Sequence, residues 1–222
     1  MKKVFPSIDA ICRERGTYCA PVDLRWGIND YQASSGQVIN LCLDYVTKCA
    51  PFFICILGER YGSCRPANSP PLPKSYKDLS PNAHWMDRNL VIAAALGYDW
   101  VATEPYSSSS VTELEIAQRN FLASEVGDDF SFYYVRQQEH LDHLFIDLPE
   151  GEREQNLKMY QPESDYSNRR VRELKTQIAK RGLPLKYFKT PEELQLLVLC
   201  DWKAVVDCLY PPFYDDIPQT CK

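Results

Sequence analysis

The sequence predicts an α/β protein, a parallel β-sheet flanked by helices. The first observation is Phe52-Phe53-Ile54-Cys55-Ile56-Leu57, an unbroken apolar run between Pro51 and Gly58. A run of this kind, bounded by breakers, has the pattern of a strand buried on both faces, and such strands belong to helix-covered parallel sheets. The second is the order of patterns over residues 2–57: helix, strand, helix, strand. That alternation is the mark of a parallel α/β sheet. The third is a pair of capping boxes, Ser110-Val111-Thr112-Glu113 and Thr190-Pro191-Glu192-Glu193, which fix where two later helices begin.

Taken in order, Val4, Ile8, Ile11 and Cys12 recur at helical spacing and predict a helix over 2–15, closed by Gly16. Thr17 to Leu24 predicts a short strand, which Pro21 assigns to a sheet edge. Val38, Leu41, Cys42, Tyr45, Val46 and Cys49 form an amphipathic stripe, capped by Ser34 or Ser35 and ended by Pro51. The apolar strand follows. Residues 63–87 are proline-rich and aperiodic, and predict a long loop on the ligand side of the sheet. A short helix is expected over 88–96.

Ser110 opens a helix whose apolar face is Val111, Leu114, Ala117 and Phe121. Phe130 to Val135 is rich in aromatic and β-branched residues and predicts a strand. Residues 150–168 are polar and predict a loop. Arg170 to Lys180 predicts a charged helix stopped at Gly182, and Lys186 to Phe188 a last strand. The helix opened at Thr190 carries Leu194, Leu197, Val198, Val205 and Leu209, and stops at Pro211-Pro212. Residues 1–210 thus read as one domain and 211–222 as a linker.

Composition narrows the function classes. With 45% hydrophobic and 25% charged residues the chain is globular rather than disordered. A net charge of −5 argues against a nucleic-acid partner, which calls for a basic face. No apolar run approaches the roughly 20 residues of a membrane helix, so no membrane partner is expected. Nine cysteines, an odd number with no Cys-x-x-Cys pair and no apolar leader, predict reduced thiols in a cytoplasmic protein. His140 and His143, beside Glu139 and Asp142, lack a third neutral ligand and read as a solvated helix, so no metal is expected. The basic set Arg169, Arg170, Arg172, Lys175, Lys180 and Arg181 is interrupted by Glu173 and reads as a solvated helix face. The chain carries no G-x-x-x-x-G-K-[ST] phosphate loop, and no cofactor is assigned.

Three strings carry a family resemblance: Val22-Asp23-Leu24-Arg25-Trp26-Gly27, Phe52 through Gly62, and Ser110-Val111-Thr112-Glu113-Leu114-Glu115-Ile116. With Asp201-Trp202-Lys203-Ala204-Val205-Val206-Asp207 near the C-terminus, they resemble the N-terminal domain of large NACHT-type NTPases with tetratricopeptide or WD repeats. Nephrocystin-3 and the telomerase-associated protein are of that group. The resemblance covers nearly the whole chain. It implies a flavodoxin-like, TIR-like sheet, followed by a NACHT module beyond residues 211–222. It also implies a strand and loop ahead of the helix at 2–15. This sequence starts inside that helix, so the resemblance implies that the first, central strand is missing and that the chain is a fragment. In a 2-1-3-4-5 sheet that strand lies beside Phe52–Leu57 and forms a wall of the switch-point crevice.

Candidate chemistry gathers at the C-terminal ends of the strands. Gly58, Glu59, Arg60 and Tyr61 follow the apolar strand, where α/β sheets bind ligands. They read either as contacts to a phosphate or ribose, or as a turn with an outward ion pair. Asp23, Arg25 and Trp26 end the preceding strand, with Trp26 either a stacking surface or a partly buried loop residue. The capping box assigns Glu113 to the amide of Ser110. Glu115 lies off the apolar stripe. The resemblance implies for it the role of a catalytic carboxylate at a ribose during N-glycosidic bond cleavage, where an anion stabilises the positive sugar ring. Alternatively it is a solvated first-turn acid paired with Arg119 four residues on.

Two functions follow. One is a non-enzymatic interaction and regulatory module of a NACHT-type signalling or scaffold protein, with protein partners or self-association. The other is an N-glycosidic hydrolase acting on NAD or a nucleoside through Glu115. The implied absence of the first strand and its loop favours the former for this chain.

Overall fold

A computed structural model of the chain describes residues 4–24, 36–66, 68–122, 129–137, 141 and 145–212. They fall into two compact units. One draws on residues 4–21 and 188–212, the other on 22–187.

In the first unit, helix α1 (Val4–Glu14) packs against the long C-terminal helix (Pro191–Leu209). Val4, Ile8 and Cys12 are buried on α1, at the predicted helical spacing. Gly16 adopts φ 73° and ends α1 as a left-handed cap. Arg15 reaches Asp207 at 2.8 Å. The segment after Gly16 is not the expected strand. The Thr17 amide closes back on the Cys12 carbonyl, the Cys19 amide donates to the Asp9 carboxylate at 3.0 Å, and Pro21 has no amide to give. Local partners have taken the groups that a sheet ladder would use.

The second unit holds a three-stranded parallel sheet, β1 (Phe52–Leu57), β2 (Phe130–Arg136) and β3 (Leu185–Phe188, whose last residue is counted with the first unit), in that order and flanked by helices. This is consistent with a flavodoxin-like or TIR-like fold. β1 and β2 pair in register from Phe52 with Phe130 to Leu57 with Val135, and the rings of Phe52 and Phe130 stack at 5.6 Å. β1 is not buried on both faces as its composition suggests. Cys55 and Leu57 are buried, whereas Ile56 on the opposite face is 42% exposed. Period-2 alternation puts them on opposite sides, and among the described residues a helix layer covers only the first along this stretch. β1 is also the edge of the sheet among the described strands.

Helix α2 (Val38–Lys48) buries Ile39, Cys42, Leu43 and Val46. The proposed caps Ser34 and Ser35 lie outside the described residues. The first amides of α2, those of Val38 and Ile39, are satisfied by the side-chain oxygen of Asn89 at 2.8 and 3.4 Å. Asn89 belongs to helix α3 (Trp85–Ala95), which starts earlier than predicted. The proline-rich stretch is no loose insertion. Arg65 pairs with Asp87 at 2.6 Å in a buried contact, and also donates to the Pro70 carbonyl.

Helix α4 (Val111–Ile116) continues as a π-turn over Ala117–Phe121. Residues 150–168, predicted as loop, instead hold helix α5 (Glu150–Lys158) and the start of helix α6 (Asp165–Lys180). α5 buries no residue, so it leaves no apolar period to read. Its acids near the N-terminus and Lys158 at the C-terminus complement the helix dipole. Ser164 caps α6 by accepting from the Ser167 amide at 3.1 Å. The Pro191–Leu209 helix is α7. Its cap Thr190 accepts from the Glu193 amide at 3.1 Å.

Two cores result. Val171, Leu174 and Ile178 of α6 pack with Ile116 on Cys55, Leu57, Tyr133 and Val135 of the sheet. Ile39, Leu43, Met86, Leu90, Ala93, Val101 and Leu114 join α2, α3 and α4. α4 is therefore held from both sides, and its N-terminus is fixed beside the C-terminal end of β1.

Candidate functional site

Chain direction delivers the turn Gly58–Gly62 to the C-terminal end of β1. Gly62 has φ 91°, a conformation that favours glycine, and this lets the chain turn back toward α4. Tyr61 points inward and is 2% exposed. Its hydroxyl donates to the Glu113 carboxylate and accepts from the Ser110 amide at 3.1 Å and from Arg170 at 3.1–3.2 Å. Arg170 also reaches Glu113 at 2.9 Å and the Ser109 hydroxyl at 3.4 Å. Burial, then the Glu113 charge, pushes the Tyr61 phenol well above its ordinary range. Burial opposes the charge on Arg170, but its hydrogen bond to Tyr61 and the Glu113 carboxylate hold it firmly protonated.

This alters the capping-box expectation. The Ser110 side chain does accept from the Glu113 amide at 3.3 Å, as predicted. The reciprocal bond is not Glu113 to Ser110: Tyr61 takes the Ser110 amide, and the Glu113 side chain, 5% exposed, is released to Tyr61 and Arg170.

The flanking residues are paired as well. Glu59 meets Lys175 at 3.0 Å. Arg60 meets Glu163 at 2.9 Å and the Met159 carbonyl at 3.4 Å, and Glu163 also accepts from the Tyr61 amide at 3.3 Å. Burial raises the Glu163 carboxyl, but its backbone hydrogen bonds and Arg60 outweigh this and keep it below its ordinary value. The wall of the turn is thus residues 159–163, between α5 and α6, together with Lys175 and Arg170 of α6. Sequence reasoning missed residues 159–163, because a polar segment without a period gives no signal of where it docks. It read Arg170 and Lys175 as part of a solvated face. The apolar spacing of Val171, Leu174 and Ile178 is the signal that places the start of α6 against the sheet.

Glu115 does not pair with Arg119. Arg119 donates to the Pro51 carbonyl and to Asp129, both at 2.8 Å. Two residues beyond Glu113, Glu115 projects from another side of α4, as helical geometry requires. It lies half-buried beside the thiols of Cys42 on α2 and Cys55 on β1. Burial raises its carboxyl to about 7, against the lowering effect of the Cys42 hydrogen bond. Both thiols are pushed far above their ordinary value, first by burial and then by Glu115. Glu115 and the Gly58–Tyr61 turn therefore sit in different surroundings. Asp23 is described, while Arg25 and Trp26 lie outside the described residues, as do His140 and His143.

Among the described residues no group of three or more His, Cys, Asp or Glu is placed to hold a metal, and no helix is long and apolar enough to cross a membrane. The eight described cysteines are free thiols.

Residues 13–80 match the family described as a domain of unknown function, DUF4062. The chain is 37% identical over 222 residues to tetratricopeptide repeat protein 41 of Rattus norvegicus, covering 95% of this chain and 16% of that protein. It is 26% identical over 122 residues to NACHT domain- and WD repeat-containing protein 1 of Mus musculus, covering 53% of this chain and 6% of that protein. It is 30% identical over 118 residues to telomerase protein component 1 of Mus musculus, covering 53% and 4%. The chain spans about a sixth of the length of the curated relatives it matches over nearly its whole length. No solved structure matches. The resemblance read from the three sequence strings is thus carried by homologues bearing tetratricopeptide, NACHT and WD-repeat names.

Proposed function

We propose that this chain is a TIR-like interaction and regulatory module without catalytic activity, the N-terminal part of a NACHT-type signalling or scaffold protein. It works in the cytoplasm through protein partners or self-association, and residues 211–222 lead into the module behind it. One observation carries the reading: the charged and phenolic side chains at the end of β1 are paired within the protein, Arg60 in a half-exposed contact and the others buried or partly so. Glu59 is bound to Lys175, Arg60 to Glu163, and Tyr61 to Glu113 and Arg170. A catalytic carboxylate needs reach to its substrate, and these groups have protein partners instead. The names of the relatives add support, since tetratricopeptide and WD repeats build extended protein-binding surfaces.

A second reading rests on Glu115. A half-buried carboxyl raised to about 7 is suited to proton transfer near neutrality. In that reading it cleaves the N-glycosidic bond of NAD or a nucleoside. Incubation of the chain with NAD, with nicotinamide release as the readout, separates the two. The module reading predicts no release above buffer. Release that Glu115→Gln abolishes would overturn it.

A further inference from the structure

We propose that Arg136, beside Gly58 and over Tyr160, is the receptor for an oxyanion, namely the phosphate group of a small ligand. Arg136 is the last residue of β2, and Gly58 is the first residue beyond β1. The two parallel strands are in register, so both residues lie at the C-terminal edge of the sheet, where α/β sheets bind ligands. The guanidinium lies over the Tyr160 ring at 4.7 Å from its centre. On another side it abuts Gly58, where a Cβ would come within 2.8 Å of Nη2. Its Nε is buried and has no hydrogen-bond partner. Its two terminal amino groups are not sealed in this way, and among the described residues they make no hydrogen bond either.

The carboxylates nearby do not satisfy it. Glu59, whose charge Arg136 feels, is held by Lys175 at 3.0 Å, and Glu163 is held by Arg60 at 2.9 Å. Beside this turn Arg60 and Arg170 have carboxylate partners; Arg136 has an aromatic face, a glycine and, among the described residues, no hydrogen-bond acceptor. Partial burial lowers its proton affinity, which is the strain that an arriving anion would relieve. A guanidinium that stacks on a ring and has no acceptor at its forked end is matched to two oxygens of a phosphate. The three residues lie within one compact unit. The inference stands apart from the question of catalysis: it requires that this edge take a ligand, not that a bond be broken there.

Titration of the chain at low ionic strength with inorganic pyrophosphate, followed by calorimetry, tests it. Saturable binding is expected in the millimolar range or below. Arg136→Gln should abolish it, and Arg136→Lys should weaken it by about tenfold by losing the paired geometry. Gly58→Ala should weaken binding severalfold while leaving the melting temperature near that of the parent, because the clash falls on the end of a flexible side chain. Binding equal in the parent and Arg136→Gln would overturn the proposal, as would no saturable binding in a parent that melts cooperatively. AMP and adenosine then assign the source: tighter binding of AMP than of phosphate, with none of adenosine, marks a nucleotide. Equal binding of AMP and phosphate marks the phosphate group alone. Nicotinamide release is a separate readout, so failure here leaves the module reading to its own test.

Discussion

Replacing Glu115 with Gln should stabilise the protein, and only above mildly acidic pH. Burial raises the carboxyl from 4.5 to about 7. An acid whose pKa is raised on folding binds its proton more tightly in the native state, so stability falls as pH rises from the unfolded value through the folded one. The cost of the carboxylate is then complete above about pH 7. At about 1.4 kcal/mol per pKa unit the full shift corresponds to on the order of 3 kcal/mol. Glu115 is half-buried, and solvent screening reduces this to about 1–3 kcal/mol. Glutamine keeps the shape and can still bond to the Cys42 thiol, but never becomes charged. Urea unfolding should show Glu115→Gln about 1–3 kcal/mol more stable than the parent near pH 8, with an unchanged m-value. The two should converge below about pH 4.5, where the carboxyl is protonated in both states. A variant equally stable at both pH values, or destabilised near pH 8, would refute the argument that Glu115 is held against its charge.

Two further substitutions test the surrounding framework. Arg65→Met leaves Asp87 buried without its cation and should cost about 3–5 kcal/mol, with faster proteolytic cutting within residues 63–87; an unchanged cutting pattern would contradict the pinned loop. Tyr61→Phe removes the acceptor for the Ser110 amide and a donor to Glu113, and should lower stability in urea by about 1–3 kcal/mol; a neutral effect would remove the phenol from the network.

The sheet was legible where hydrophobic period and breakers agree. Phe52–Leu57 and the caps at Ser110 and Thr190 appear where the residues place them, and the strand expected from Phe130 to Val135 runs one residue further, to Arg136. What the sequence does not show are partners that no pattern names and an element that carries no pattern. No local pattern tells that Asn89 will cap α2, since it lies 51 and 50 residues from the two amides it accepts from. Thr17 to Leu24 has strand composition, but Cys12 and Asp9 take the Thr17 and Cys19 amides. α5 lacks an apolar face, so only its terminal charges could have revealed it. At the site, the turn after β1 was located correctly by its glycines. Of its two glutamate neighbours, Glu113 turns to Tyr61 rather than to the Ser110 amide, and Glu115 to Cys42 rather than to Arg119. A capping box specifies the residue type at its third position but not whether a buried phenol will outcompete the backbone for it.

The central claim is that the groups at the end of β1 are committed to one another. A double-mutant cycle between Glu113 and Arg170 measures that commitment most directly, using Glu113→Gln, Arg170→Met and the pair, with unfolding free energies from urea. The buried contact at 2.9 Å predicts a coupling of about 2 kcal/mol, each single variant costing more than its share of the double. Additive losses with a coupling near zero would contradict the claim and return both side chains to the list of groups free to meet a ligand.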